Sequence, residues 1–282
     1  MKIFDCFSFY NEFDMLDLHL AELYDHVDYF VLSEANTTHQ SNPKPFYFEE
    51  NKQRYAKYLD KIIHVKVEDM PNSPDTWVNE RFQRDAIVRG LTEAGPDDIC
   101  IVGDCDEILR PEVVDQLRNS TQTVMGFRVP FFNFKFNYML VNNREMYCVW
   151  TVACKRSALE SASAMRAQRF SLATLPFHYE DENVKMYENA GWHFTNVGDD
   201  DFIKNKIMNY AHKELNTPEV LAKINVQEVI SRGVGINPNN PQTFVQVAVD
   251  EYLPQTIIQN VEQYQDKILS GTANSASQYL PK

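Results

Sequence analysis

Glycine is scarce in this chain. Nine glycines occur in 282 residues, about half the usual share of roughly 7%. Neither G-x-G-x-x-G nor G-x-x-x-x-G-K-[ST] is present, which removes the common dinucleotide fingerprint and the P-loop. Positive charge is also short, with 27 Lys and Arg against 40 Asp and Glu and a net charge of −13. That balance argues against nucleic acid or an anionic membrane as the main partner. An anionic substrate would need local basic residues or a metal to offset the field. No apolar run approaches the ~18 residues of a membrane span, and no signal-peptide pattern opens the chain, so a soluble cytoplasmic protein is expected. The cysteines (Cys6, Cys100, Cys105, Cys148 and Cys154) are odd in number and form no C-x-x-C. Buried free thiols in a reducing compartment fit them best.

What is present is globular. Hydrophobic residues make up 44% and charged residues 24%, which excludes a disordered or fibrous chain. The first ~130 residues alternate strand and helix patterns. Segments 3–9, 27–32, 62–67 and 99–102 read as strands. Segment 12–24 has Phe13, Leu16, Leu20 and Leu23 at helical spacing. A long helix is predicted over 74–93, with Asp75 or Thr76 as its cap and Gly95-Pro96 as its stop. Strands at 124–129 and 147–154 bracket an aromatic-rich run, 131–138. From about residue 200 the pattern turns helical, with a cap and Pro at Thr217-Pro218 and a stop at Gly233. The expectation is an α/β fold, a mostly parallel sheet flanked by helices. It comprises a domain over 1–215 and a helical C-terminal extension over 216–282, packed on the same domain.

The sharpest feature follows the fourth predicted strand. Ile99-Cys100-Ile101-Val102-Gly103 delivers three carboxylates in four residues, Asp104-Cys105-Asp106-Glu107. Ligands of open α/β sheets bind beyond the carboxyl ends of the strands. In extended backbone Asp104 and Asp106 would share a face, and like carboxylates that close repel unless a cation joins them. Hard ions such as Mn²⁺ or Mg²⁺ suit such oxygens and commonly bridge them to substrate phosphates. A solvated acidic turn is the bland alternative. A Mg²⁺-dependent phosphatase of haloacid-dehalogenase type is another, although the position after the fourth strand and the following Glu107 count against it.

Further motifs occur in order through residues 2–215. They include Asn11-Glu12-Phe13-Asp14, Ser33-Glu34-Ala35-Asn36-Thr37-Thr38, Pro43-Lys44-Pro45, Trp77, Gln83-Arg84 and Pro96-Asp97-Asp98. The acidic cluster itself and Ala190-Gly191-Trp192-His193-Phe194 complete the set. Together they resemble glycosyltransferase family 17. One departure is Leu109 directly after Asp-Glu-Ile, where family members often have Pro. The resemblance implies a GT-A-like fold and a metal-dependent inverting transfer from a nucleotide sugar, UDP-GlcNAc first, to a carbohydrate hydroxyl. It also implies a D-x-D metal site at Asp104 and Asp106. A non-catalytic glycan-binding protein that keeps the fold is the remaining alternative.

Given that resemblance, each candidate acquires a role beside a structural one. His193 would add a third metal ligand to Asp104 and Asp106, or be a buried core histidine. Trp192 could stack on a sugar, or pack in the core. Glu34 and Asn11, at the ends of strands, could contact the donor, as could Asp104. Arg84 and Lys206 could offset the diphosphate, Arg by bidentate bonding. For the catalytic base, Glu214 and Asp181 rank together.

Overall fold

Strands β1 (Ile3–Ser8), β2 (Tyr29–Ala35), β3 (Ile62–Val67) and β4 (Ile99–Asp104) form the first half of the sheet. The structure, a computed structural model, describes residues 1–142, 144–236 and 242–281. β1, β2 and β4 are largely apolar on both faces, as strands covered on two sides must be, whereas β3 at the sheet edge carries His64 and the exposed Lys66. Ile3 and Phe7 of β1, Phe30 and Leu32 of β2, and Ile99 and Ile101 of β4 enter one core. Their neighbours Phe4, Cys6, Val31, Cys100 and Val102 enter the other, with Cys154 beside them. The period of two along each strand produces this division. The helix Phe13–Leu23 covers the first core and buries Leu16, Leu20 and Leu23.

The later strands are β5 (Glu107–Leu109), β6 (Val124–Asn133), β7 (Tyr138–Leu140), β8 (Tyr147–Lys155), β9 (Val184–Tyr187), β10 (Gly191–Thr195) and β11 (Phe244–Gln246). The main path through the sheet is β11-β7-β6-β8-β4-β1-β2-β3. Strands β3, β2, β1 and β4 are mutually parallel. The rest is mixed, so the sheet is less parallel than expected: β9 and β10 run parallel to β6, and the remaining pairs are antiparallel. β8 runs antiparallel to both β4 and β6, and β7 antiparallel to β6 and β11. Parallel neighbours need a long crossover, whereas the segment between β6 and β8 holds only the aromatic run, β7 and one short turn of helix. Phe134 takes a positive φ of 66° at that reversal.

The predicted long helix is shorter than its pattern. Asp75 caps it, accepting from the Trp77 N–H at 3.0 Å. The regular helix is Thr76–Asp85, and a 3₁₀ turn, Ala86–Gly90, follows. Gly90 lies tight on the sheet, where an added Cβ would come within 2.9 Å of Val65. Beyond residue 215 the chain is only partly helical. It has the short helices Pro218–Leu221, Val226–Ser231 and Gln255–Gln259, and it supplies β11 to the sheet edge. Val247, Leu253, Ile257 and Tyr264 join the same core as β1. Among the described residues no helix is long and apolar enough to cross a membrane.

Candidate active site

The strand order reverses direction of travel between β1 and β4, where Ser8 pairs with Asp104 at the carboxyl ends. Such a switch point leaves a crevice. Here it is a cleft of about 480 Å³, whose walls include Tyr10, Arg84, Asp104, Asp106, His193 and Lys206.

The acidic cluster splits at this point. β4 ends at Asp104, a turn carries Cys105 and Asp106, and β5 begins at Glu107. The extended backbone that would place Asp104 and Asp106 on one face therefore does not continue. Asp104 is gripped by two guanidiniums, Arg84 at 2.8 Å and Arg166 at 2.9 Å. Burial alone would raise its pKa, but the two arginines carry it far below the usual carboxylate range. Glu107 is enclosed as well. Arg166 donates to both of its oxygens. Thr151 Oγ1 donates at 2.9 Å and the Asp104 N–H at 3.2 Å. Arg166 comes from the helix Ala162–Ala167, capped by Ser161 and tied to Asp85 by Ser161 and Ser163.

Asp106 has a different setting. Its Oδ2 lies 3.2 Å from Lys206 Nζ, and its Oδ1 lies 3.7 Å from His193 Nε2. Burial would lower the Lys206 pKa, but Asp106 and Glu12 push it above its ordinary value, so the ammonium is fixed. β10 brings His193 opposite Glu107. Gly191 permits that approach, because an added Cβ there would sit 2.7 Å from Leu109 Cα. The His193 ring is held between Phe131 and Trp150. Beneath the turn, His19 Nδ1 bonds the Cys105 carbonyl at 2.9 Å and Nε2 bonds Asp5 at 2.7 Å. Burial depresses His19, but Asp5 and the Cys105 carbonyl raise its pKa overall.

Among the described residues, Asp106, Glu107 and His193 form the group able to hold a metal, with ligand atoms within 4.8 Å of one another. Glu107 is already saturated, which leaves Asp106 and His193. The fit is supported by His193 Nδ1, a buried atom with no hydrogen-bond partner. Thr37 Oγ1, Trp150 Nε1 and Arg166 Nε line the same cleft and are also buried without partners. Buried polar atoms are rarely left so. Two cations on its walls, Arg81 and Arg169, have neither a hydrogen bond nor a carboxylate partner among the described residues. Burial, with Arg166 nearby, lowers the Arg169 pKa. Arg81 is exposed to solvent, and Arg169 feels the carboxylates of Glu107 and Asp104 at longer range and lies over the Phe170 ring.

The other sequence candidates fall in several places. Asn11 lines a neighbouring cavity and donates to Asn205 at 3.4 Å. Glu34 is fully buried and bonds the Phe48 N–H, Lys44 and His64, so it anchors the loop after β2. Trp192 is a core residue, donating to the Tyr252 carbonyl at 2.6 Å beneath the Arg110 guanidinium. Glu214 is exposed and bonds His212 at 2.6 Å. Asp181 closes its own turn, accepting from Asn183, Val184 and Tyr179. None of these last four lines the cleft. Sequence reasoning missed Arg166, Arg169, Thr151 and Trp150. The available signal was Arg166-x-x-Arg169, two cations at helical spacing in an acidic chain.

The profile of glycosyltransferase family 17 matches residues 1–266. Over 115 residues the chain is 30% identical to the beta-1,4-mannosyl-glycoprotein 4-beta-N-acetylglucosaminyltransferases of rat and human. That match covers 38% of this chain but only 21% of the rat protein and 22% of the human one. A mannosyltransferase from Pyrobaculum calidifontis, solved with GDP-Man and Mn²⁺, is similar with a TM-score of 0.41 and 11% identity. That likeness covers 81% of this chain and 69% of the other. The extent of the profile match places this chain in glycosyltransferase family 17.

Proposed function

We propose that the cleft binds a nucleotide-sugar donor and that the protein transfers the sugar, with inversion, to a carbohydrate hydroxyl. UDP-GlcNAc is the first donor to test and a β-mannosyl saccharide the first acceptor, by analogy with the names of the rat and human relatives. The observation that carries the reading is the pairing of two kinds of site in one cleft. Asp106 and His193 could hold Mn²⁺ or Mg²⁺, while Arg81 and Arg169 present guanidiniums with no hydrogen bond or ion-paired carboxylate among the described residues.

When bound there, the metal would offset charge on the leaving diphosphate. The rest of the work falls to the chain. Arg169 and Arg81 take phosphate oxygens in bidentate fashion. Lys206 holds Asp106 in place and keeps a positive charge beside it. The Arg84–Asp104–Arg166–Glu107 lattice fixes the turn that presents Asp106, so little reorganisation is needed on binding. Trp77 stands partly exposed at the cleft wall as a surface on which a base could stack.

The test is thermal stability with UDP and Mn²⁺, alone and together. A ligand that binds only the folded state at ~100 Kd adds about 2.7 kcal/mol. A shift that needs both ligands and disappears in Asp106→Ala supports the reading. No shift with any nucleotide and metal pair rejects it.

A further inference from the structure

A second cavity, of about 550 Å³, opens on the far side of Asp106. It and the first cleft share three wall residues, Glu12, Asp106 and Lys206. Its character differs from that of the first. The cations here are matched internally. Arg54 pairs with Asp14 and Asp17, and Lys267 with Asp14 and Asp266. Lys135 donates to the Asp266 carbonyl and Lys206 to Asp106. No guanidinium is left over for a phosphate. The walls instead offer amides, carboxylates and the half-buried ring of Phe202. Asn11 Oδ1 faces burial with no partner. Short carboxylates and amides bond vicinal hydroxyls, and a ring covers the apolar face of a sugar, so this is a surface for a neutral carbohydrate.

Resting on the donor reading above, we propose that this cavity is the acceptor site and that Glu12 is the general base for transfer. Each rival carboxylate on the walls is engaged. Asp14 and Asp266 are in ion pairs, Asp199 caps the helix Asp200–Asn209 through the Phe202 N–H, and Asp106 holds Lys206. Glu12 has no cation partner in hydrogen-bond range among the described residues. Its Oε2 accepts the N–H groups of Tyr10 and Asn11, both at 3.1 Å. Those two bonds orient the carboxylate and leave Oε1 with no hydrogen bond among the described residues, on a side chain that lines both cavities. In the step, the acceptor hydroxyl oxygen bonds the anomeric carbon. The bond from that carbon to the phosphate oxygen breaks, and its electron pair leaves with the diphosphate. The hydroxyl proton passes to Glu12 Oε1.

Two measurements test this. Glu12→Gln is compared with wild type for UDP affinity in Mn²⁺ and for turnover of UDP-GlcNAc, both to a β-mannosyl oligosaccharide and to water in its place. UDP affinity should be unchanged while kcat falls by about 100- to 10,000-fold, the usual contribution of a general base. Turnover at the wild-type rate, or loss of UDP affinity, overturns the assignment of Glu12. If the wild type binds no UDP at all, the donor reading fails first, and the two failures are thereby told apart. Crystals of the wild-type protein grown with UDP, Mn²⁺ and the same oligosaccharide should show sugar between Phe202 and Asn11 with a hydroxyl at Glu12. Sugar seated elsewhere, or absent, overturns the acceptor site.

Discussion

Asp104 and Asp106 are separated by one residue, yet they belong to two unlike electrostatic regions. Around Asp104 and Glu107 every charge is answered, since Arg84 and Arg166 bind both carboxylates and Thr151 fills a remaining position. Around Asp106 and His193 the accounting is incomplete, since His193 Nδ1 is unpartnered, and the same cleft wall carries Arg81 and Arg169, whose guanidiniums have no hydrogen bond or ion-paired carboxylate among the described residues. The closed region gains rigidity from burial of matched charges. The open region keeps capacity for a ligand. The contrast separates residues that shape the site from residues that use it, although all of them sit on one short stretch of chain.

The largest effect is expected in the closed region. Arg166→Met leaves Glu107 buried without its partner, and breaking such a pair costs about 3–5 kcal/mol. Denaturant unfolding should show that loss with or without nucleotide. If the variant melts like wild type, the lattice is not structural and the distinction fails. In the open region, Asp106→Asn takes the charge partner from the largely buried Lys206 ammonium, so it too should lower the unfolding free energy, by less than Arg166→Met because Glu12 still offsets the charge. Its turnover should fall by about 100-fold or more, the scale of a lost metal ligand. Steady-state kinetics beside the melting curve decide it. Arg169→Ala removes a cation that has no hydrogen-bond or ion-pair partner among the described residues, only the adjacent Phe170 ring beneath it. Stability should not fall, while the Kd for UDP rises by roughly 10- to 100-fold, as for a charge-assisted hydrogen bond worth about 1.5–3 kcal/mol. Calorimetric titration reads the change.

The smallest effect lies beneath both regions, at His19. Its folded pKa is raised above the unfolded value of about 6.5. The stability it adds is therefore complete below about pH 6.5 and is lost as pH climbs through the folded value. The difference in unfolding free energy between wild type and His19→Gln should shrink as pH climbs across that rise. A difference that stays flat or grows with pH would show that His19 is neutral in the folded protein.

Much of the sheet could be read directly. Segment 62–67 matches β3 at both ends, and β1, β2 and β4 match within a few residues, the last three because strands buried on both faces carry long apolar runs. β5, β7 and β11 have three residues each, too few for any period to emerge. Their pairing partners decide them. The antiparallel turn of the sheet escaped notice for a related reason, since direction is set by what lies between strands. In the site, Asp106 was visible beyond a strand end, His193 within a late motif and Lys206 as a cation in a helical stretch, and the structure brings all three together. Glu34 looked equivalent by position. Only the loop that wraps over it, with the Phe48 N–H and Lys44, shows that its oxygens are occupied. Arg166 lies 59 residues from Glu107 in sequence, and no local pattern announces a contact of that range.

The cysteines supply a built-in gauge. Cys6, Cys100 and Cys154 are fully buried in one core layer, and burial pushes the thiols of Cys100 and Cys154 up to about 12. A thiol reagent needs both access and thiolate, so these three report only on opening of the layer itself. Their labelling rate is thus a clock for global exposure. Read with and without nucleotide, that clock would time how firmly a ligand, bound at the strand ends, holds shut the sheet behind it.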